Sequence, residues 1–291
     1  MVLQSLPFVL VGVFASALVQ QALKGEVVAR WMPRRPIWAV LVSSLFGLVA
    51  PVCDCGAIPL GRRLIAKGVP VYAAVSFLIA APVINPIVLF STALAFQGSI
   101  GVVALRMGMT LSVALCVGLL TSQILRFRRA DLPTLADRPR DGDLNKDVEP
   151  AQVGSRKLVA LAGHASAEYF DIVFFVVLGA LFTAASQTFV PRGDLTALGS
   201  QRVGSVLALM PVASILSICS EADAFVARAF ASTFSPGAVL AFMTIGQIVD
   251  LRNGLLLWRT LGSRLALLIV LVAYPLVFVE GVLVNRLAWG L

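Results

Sequence analysis

Charge is scarce in this chain: Asp, Glu, Lys and Arg make up 13% of its 291 residues, while 59% are hydrophobic. Soluble domains carry about 25% charge, so a soluble globular domain is excluded. Cysteine is scarce too. Cys53, Cys55, Cys116 and Cys219 do not supply the framework of a secreted disulfide scaffold. No G-x-x-x-x-G-K-[ST] run occurs, which excludes ATP hydrolysis by the phosphate-loop route. The first apolar stretch lacks a basic leader before it and a small-residue cleavage site after it. It therefore reads as a retained helix and not as a signal peptide.

What is present in abundance is unbroken hydrocarbon. Residues 3–23, 99–125 and 265–284 are apolar blocks, and the mean hydropathy of the chain is +0.93. Each block reaches the roughly 20 residues that a helix needs to cross a bilayer. The expectation is an all-α polytopic membrane protein with six to eight membrane helices, seated in the lipid of a bacterial inner membrane. The net charge of +8 then belongs to loops on the cytoplasmic side, and a nucleic-acid partner is not expected. Cys116, inside an apolar span, reads as ordinary packing.

One long polar stretch, 126–157, is rich in Pro, Asp and Arg and has no apolar periodicity. It reads as a flexible cytoplasmic loop between a first membrane half, 1–125, and a second, 158–291. The halves resemble one another. With Cys53 set on Cys219, Pro70 falls on Pro236; after one residue of slippage Phe77 falls on Phe242 and Asn85 on Asp250. Each half reads as an apolar helix, an interrupted segment bearing Cys and acid, a helix after a proline, and a final helix. The predicted segments are 3–23, 37–67, 70–97 and 99–125, then 158–190, 203–231, 236–258 and 262–288.

Charge orients them. If both interrupted segments are re-entrant and the amino terminus lies outside, every Lys and Arg falls on the inner side except Arg106, Arg192, Arg202, Arg228 and Arg286. Full crossings would place the loops at 24–35 and 126–157 on opposite faces. The re-entrant arrangement satisfies the positive-inside rule and makes the two repeats inverted.

The interrupted segments hold the chemistry. "PVCDCGAIP" (51–59) contains two prolines and a glycine, and "SICSEADAF" (217–225) matches it in the second half. Backbone leaves the helix at membrane depth only where protein or water satisfies it, and paired breaks of this kind mark transporter sites. Cys53 and Cys55 with Asp54, and Cys219 with Glu221 and Asp223, gather there. Thiolates select soft cations and metalloids such as Zn, Cu(I) and trivalent arsenic, so Cys53, Cys55 and Cys219 are the candidate metal ligands. Glu221 and Asp223 are proton-coupling candidates; the competing reading for any one acid is a salt bridge to Arg62 or Arg228. Asn85, Gln247 and Asp250 either complete the cavity or hydrogen-bond between helices. His164, Glu168 and Asp171 share a helical face and are either a divalent-metal site or proton relay, or a solvated polar face. Glu280, alone in "LVFVEGVLV", is either a proton site or an end-of-helix residue. No bound cofactor is expected.

The stretches "VCDCGAIPLGRRLIAKGVPVYAAVSFLIAAPVINPIVL" and "LSICSEADAFVARAF", with "DLRN" downstream, resemble the predicted-permease family that includes the ArsP-type organoarsenical efflux permeases. The resemblance covers most of the chain outside the central loop. It implies a permease, and for its ArsP-like members export of trivalent organoarsenicals through motif cysteines, which match Cys53, Cys55 and Cys219. "SEADAF" with "DLRN" is closer to a less characterised subfamily. The expected function is secondary-active export of a soft metal, metalloid or thiol-reactive solute. The alternatives are a membrane thiol–disulfide oxidoreductase using Cys53 and Cys55, or a membrane subunit of a larger transport complex with a membrane or periplasmic partner.

Overall fold

The computed structural model describes residues 33, 35–48, 57–58, 60–61, 64–65, 68–127, 203–218, 220 and 223–287. Every regular element among them is helical. In the first half these are α1 (Pro36–Phe46), α2 (Val71–Ala80), α3 (Pro86–Ala95) and α4 (Ile100–Phe127). In the second they are α5 (Gly204–Leu216), α6 (Asp223–Phe230), α7 (Pro236–Ile248), α8 (Leu251–Leu261) and α9 (Ser263–Leu287). Proline opens α1, α3 and α7, where its missing N–H would have had no helical partner.

Among the described residues, two stretches are long and apolar enough to cross a membrane, Ile100–Leu125 in α4 and Ser263–Leu287 in α9. At 1.5 Å per residue they run about 39 and 37 Å, more than the ~30 Å hydrocarbon core. Leu267, Leu271, Val279, Leu283 and Leu287 stand exposed at four-residue multiples along α9. An apolar stripe of that kind suits lipid and not water. Cys116, read from the sequence as ordinary packing, is also exposed.

Between the long helices lie short, buried ones. In α7 every residue from Gly237 to Ile248 is buried, and most of α2 is too. Their 13 and 10 residues reach only about 20 and 15 Å, less than the bilayer core. Segments predicted as single helices, 70–97 and 236–258, are therefore broken, the first at 81–85 and the second at 249–250. The first break hides its donors. Val83 and Ile84 both donate to the Ala80 carbonyl (3.1 and 2.8 Å), Pro82 and Pro86 have no N–H, and Asn85 Oδ1 accepts from Ile87 N at 3.0 Å. The second break has no proline. Asp250 Oδ1 accepts from Asn253 N, and Gly254 N reaches the Asp250 carbonyl at 2.8 Å. Asn85 and Asp250 thus occupy the same N-cap position in the two halves. A third break follows α5, where Ser217 takes a left-handed conformation (φ 43°) just before the cysteine segment.

Packing follows one scheme in both halves: α1, α2 and α4 pack on one another, as do α5, α7 and α9. Close approaches join corresponding helices in the two halves. A β-carbon on Gly118 of α4 would come within 2.0 Å of Ser76 Oγ and 3.0 Å of Val40. One on Gly281 of α9 would meet Val206 at 3.1 Å and Ala241 at 3.2 Å. Likewise Gly47 lies against Ala81, and Gly246 against Ala213, with the glycine on the other partner. Small residues let membrane helices approach this closely. The halves meet where α4 packs on α7 and α9, and where α6 packs on α3.

Candidate functional site at the helix breaks

Arg106 lies two turns into α4 and is fully buried, and Asp223 opens α6 with 2% of its side chain exposed. Arg106 Nη2 is 2.6 Å from Asp223 Oδ2, so an ion pair joins the two halves. Arg106 Nη1 donates to Thr92 Oγ1 of α3 at 2.7 Å and lies 3.8 Å from Met243 Sδ of α7. On the other side, Gln247 Nε2 donates to Asp223 Oδ2 at 2.8 Å. The charge count had placed Arg106 among the bases on the outer face. Its position inside the protein corrects that: Arg106 pairs with Asp223, while Arg62 lies outside the described residues. Arg228 instead stacks its guanidinium 5.8 Å above the Phe96 ring of the other half. Two charges out of water are costly singly and tolerated together, which explains why this arginine and this acid coincide.

Gln247, at the end of α7, sits where the breaks come together. Its Nε2 is also 3.4 Å from the carbonyl of Ile218, the residue before Cys219. It lines a cavity of about 20 Å³ with Ile58, Leu78, Ile79, Pro82, Ile248, Asn253, Leu257 and Ile269. Ile58 follows Cys55 by three positions, Pro82 lies in the first-half break, and Asn253 opens α8 after the second. Asn253 Nδ2 donates to the Gln247 carbonyl at 3.3 Å. Gln247 Oε1 and Ser220 Oγ are buried with no hydrogen-bond partner among the described residues, an arrangement that native interiors seldom tolerate without a purpose. A larger cavity of about 230 Å³ lies between α8 and α9, but its lining is apolar and includes none of the predicted site residues.

Of the predicted site residues, Asp223 and Gln247 are in direct contact. Asp250 caps α8 nearby, and Asn85 caps α3. Cys53, Asp54, Cys55, Cys219, Glu221, His164, Glu168 and Asp171 lie outside the described residues. Sequence reasoning missed Arg106, Thr92 and Asn253. A lone arginine inside the apolar run 99–125 was itself a signal, because such a residue at membrane depth needs a partner.

No solved structure matches the chain. It is 38% identical over 289 residues to the "UPF0718 protein YcgR" of Bacillus subtilis (strain 168), covering 97% of this chain and 94% of that one. It is 33% identical over 266 residues to a "Putative two-component membrane permease complex subunit" of Streptococcus mutans serotype c (strain ATCC 700610 / UA159), covering 91% and 86%. A family described as "Predicted permease" matches residues 1–286. The chain is therefore a membrane protein of the ArsP-type predicted-permease family.

Proposed function

We propose that this permease exports a soft metal ion, a metalloid such as a trivalent organoarsenical, or another thiol-reactive solute across the bacterial inner membrane. The site lies where the helix breaks converge. Cys53, Cys55 and Cys219 supply sulfur, and Asp54, Glu221, Asn85, Gln247 and Asp250 supply polar lining. The observation that carries this reading is Gln247. One amide contacts Asp223 and the backbone leading to Cys219, and it shares a cavity with Ile58, just beyond Cys55. One described residue from each cysteine segment, Ile218 and Ile58, thus lies beside this buried amide or in its cavity. Asp223, held by Arg106, acts here as the bond between halves rather than as a free cation ligand.

The two halves are inverted repeats with re-entrant cysteine segments, and the pathway runs between them. The repetition is supported by the paired caps Asn85 and Asp250 and by the close contacts of Gly118 and Gly281 on corresponding helices, and the inversion by the distribution of basic residues. Energy comes from an ion gradient or a partner, since no phosphate-loop motif occurs. A partner subunit is favoured by the name of the Streptococcus mutans relative, and co-purification in native membranes tests it.

The primary test measures intracellular Zn, Cu and As in cells expressing wild type or Cys53→Ser, challenged with each metal or with methylarsenite. Wild type should lower one element and the variant should not. If no element moves in either strain, the soft-ligand site is wrong.

A further inference from the structure

Glu280 sits well inside α9, seventeen residues from its start, so it is not an end-of-helix residue. It faces α4 of the other half, where its Oε1 meets Ser112 Oγ. Its Oε2 is buried and has no hydrogen-bond partner among the described residues. Ser112 Oγ also lies 2.7 Å from the Met109 carbonyl. A serine has one proton to donate but can also accept, so these contacts admit two arrangements. With Glu280 ionised, Ser112 turns its O–H to Oε1. With Glu280 protonated, Glu280 donates to Ser112, and Ser112 turns its own O–H to the Met109 carbonyl. The glutamate can gain or lose a proton without losing its hydrogen bond.

Among the described residues, no salt bridge reaches Glu280. Of the helices packed on α9, α5 and α7 carry no charged residue. On α4 the charged residues are Arg126, near its end, and Arg106, which is committed to Asp223. On α8 they are Arg252 and Arg259, with Asp250 as its cap. On α9 itself Arg264 lies near the start and Arg286 in the last turn. Lone acids at membrane depth that face another helix are the usual elements of proton relays.

We propose that Glu280, with Ser112 as its reversible hydrogen-bond partner, is the proton-binding site that couples this permease to a proton gradient. The proposal rests on the permease reading above. A proton enters from water, binds the Glu280 carboxylate and turns Ser112 toward Met109; its departure reverses each step, and nothing else is consumed. Because α4 belongs to one half and α9 to the other, protonation is felt where the halves move against each other.

The test does not need the transported solute. Infrared spectra of the full-length protein in lipid bilayers, recorded across a pH titration, report the carbonyl stretch of protonated carboxyl groups. Wild type minus Glu280→Gln should show one titrating carboxyl band, absent from the variant. Ser112→Ala, which keeps the carboxyl, should shift that band in frequency. If the wild-type and Glu280→Gln titrations coincide, or if Ser112→Ala leaves the band unmoved, the proposal fails. A band that behaves as expected while no element moves in the export assay supports the proton site and refutes only the soft-solute reading.

Discussion

At the scale of single residues, the Arg106–Asp223 pair ties one half of the molecule to the other. Removing one partner strands the other charge in the interior, at a cost of about 3–5 kcal/mol. Arg106→Met should therefore lower the unfolding midpoint in detergent sharply. The double variant Arg106→Met, Asp223→Leu should recover much of the loss, because apolar replacement of a buried pair is often near neutral. Additive losses would show that the two side chains do not depend on each other. Asn85 and Asp250 allow a finer separation. Asn85→Asp and Asp250→Asn keep an acceptor at each N-cap, so folding should be nearly unchanged, whereas alanine at either place should cost about 0.5–2 kcal/mol. If Asp250→Asn folds normally but abolishes export, its charge serves the solute and not the cap.

At the scale of elements, close helix packing makes unequal demands on its glycines. The β-carbon of Gly118→Ala meets a serine hydroxyl that can be removed, so Ser76→Ala should rescue part of the damage. The β-carbon of Gly237→Ala would come within 2.0 Å of the Gly281 carbonyl and 2.6 Å of Asn285 Oδ1, which also accepts from Gly237 N at 2.7 Å. Backbone cannot rotate aside. Gly237→Ala should therefore be the more destabilising, by more than the 1–3 kcal/mol typical of overpacking, and thermal unfolding of both variants checks the order. These elements also show what was legible in the sequence. The long helices α4 and α9 were, because twenty-odd apolar residues leave few alternatives. Asn85 and Asp250, which the register pairs, both turn out to be caps. The break at 81–85 was announced by Pro82 and Pro86 but absorbed into one apolar run. The break at 249–250 left no signal beyond an aspartate, whose capping role depends on where the helix happens to stop. Arg106 was misplaced because a charge count weighs residues by side of the membrane and cannot see a partner 117 positions away.

At the scale of the whole molecule, the re-entrant arrangement predicts that residues 24–35 and 126–157 face the cytoplasm together. In a background without native cysteines, Glu26→Cys and Gly142→Cys should both resist a membrane-impermeant thiol reagent in intact cells and react in inverted vesicles. Labelling on opposite faces would establish full crossings and overturn the inverted repeat. The ion pair between halves also bears on how the protein is made. Arg106 leaves the ribosome long before Asp223, yet an unpaired arginine within a membrane helix is costly, by as much as about 2.5–3.5 kcal/mol at the bilayer centre on insertion scales. Until Asp223 follows, nascent α4 has every reason to linger at the lateral gate of the insertion machinery or to slide its arginine toward the headgroups. Membrane integration of the first half is thus completed by the second, and a chain cut short between the two should be degraded rather than assembled.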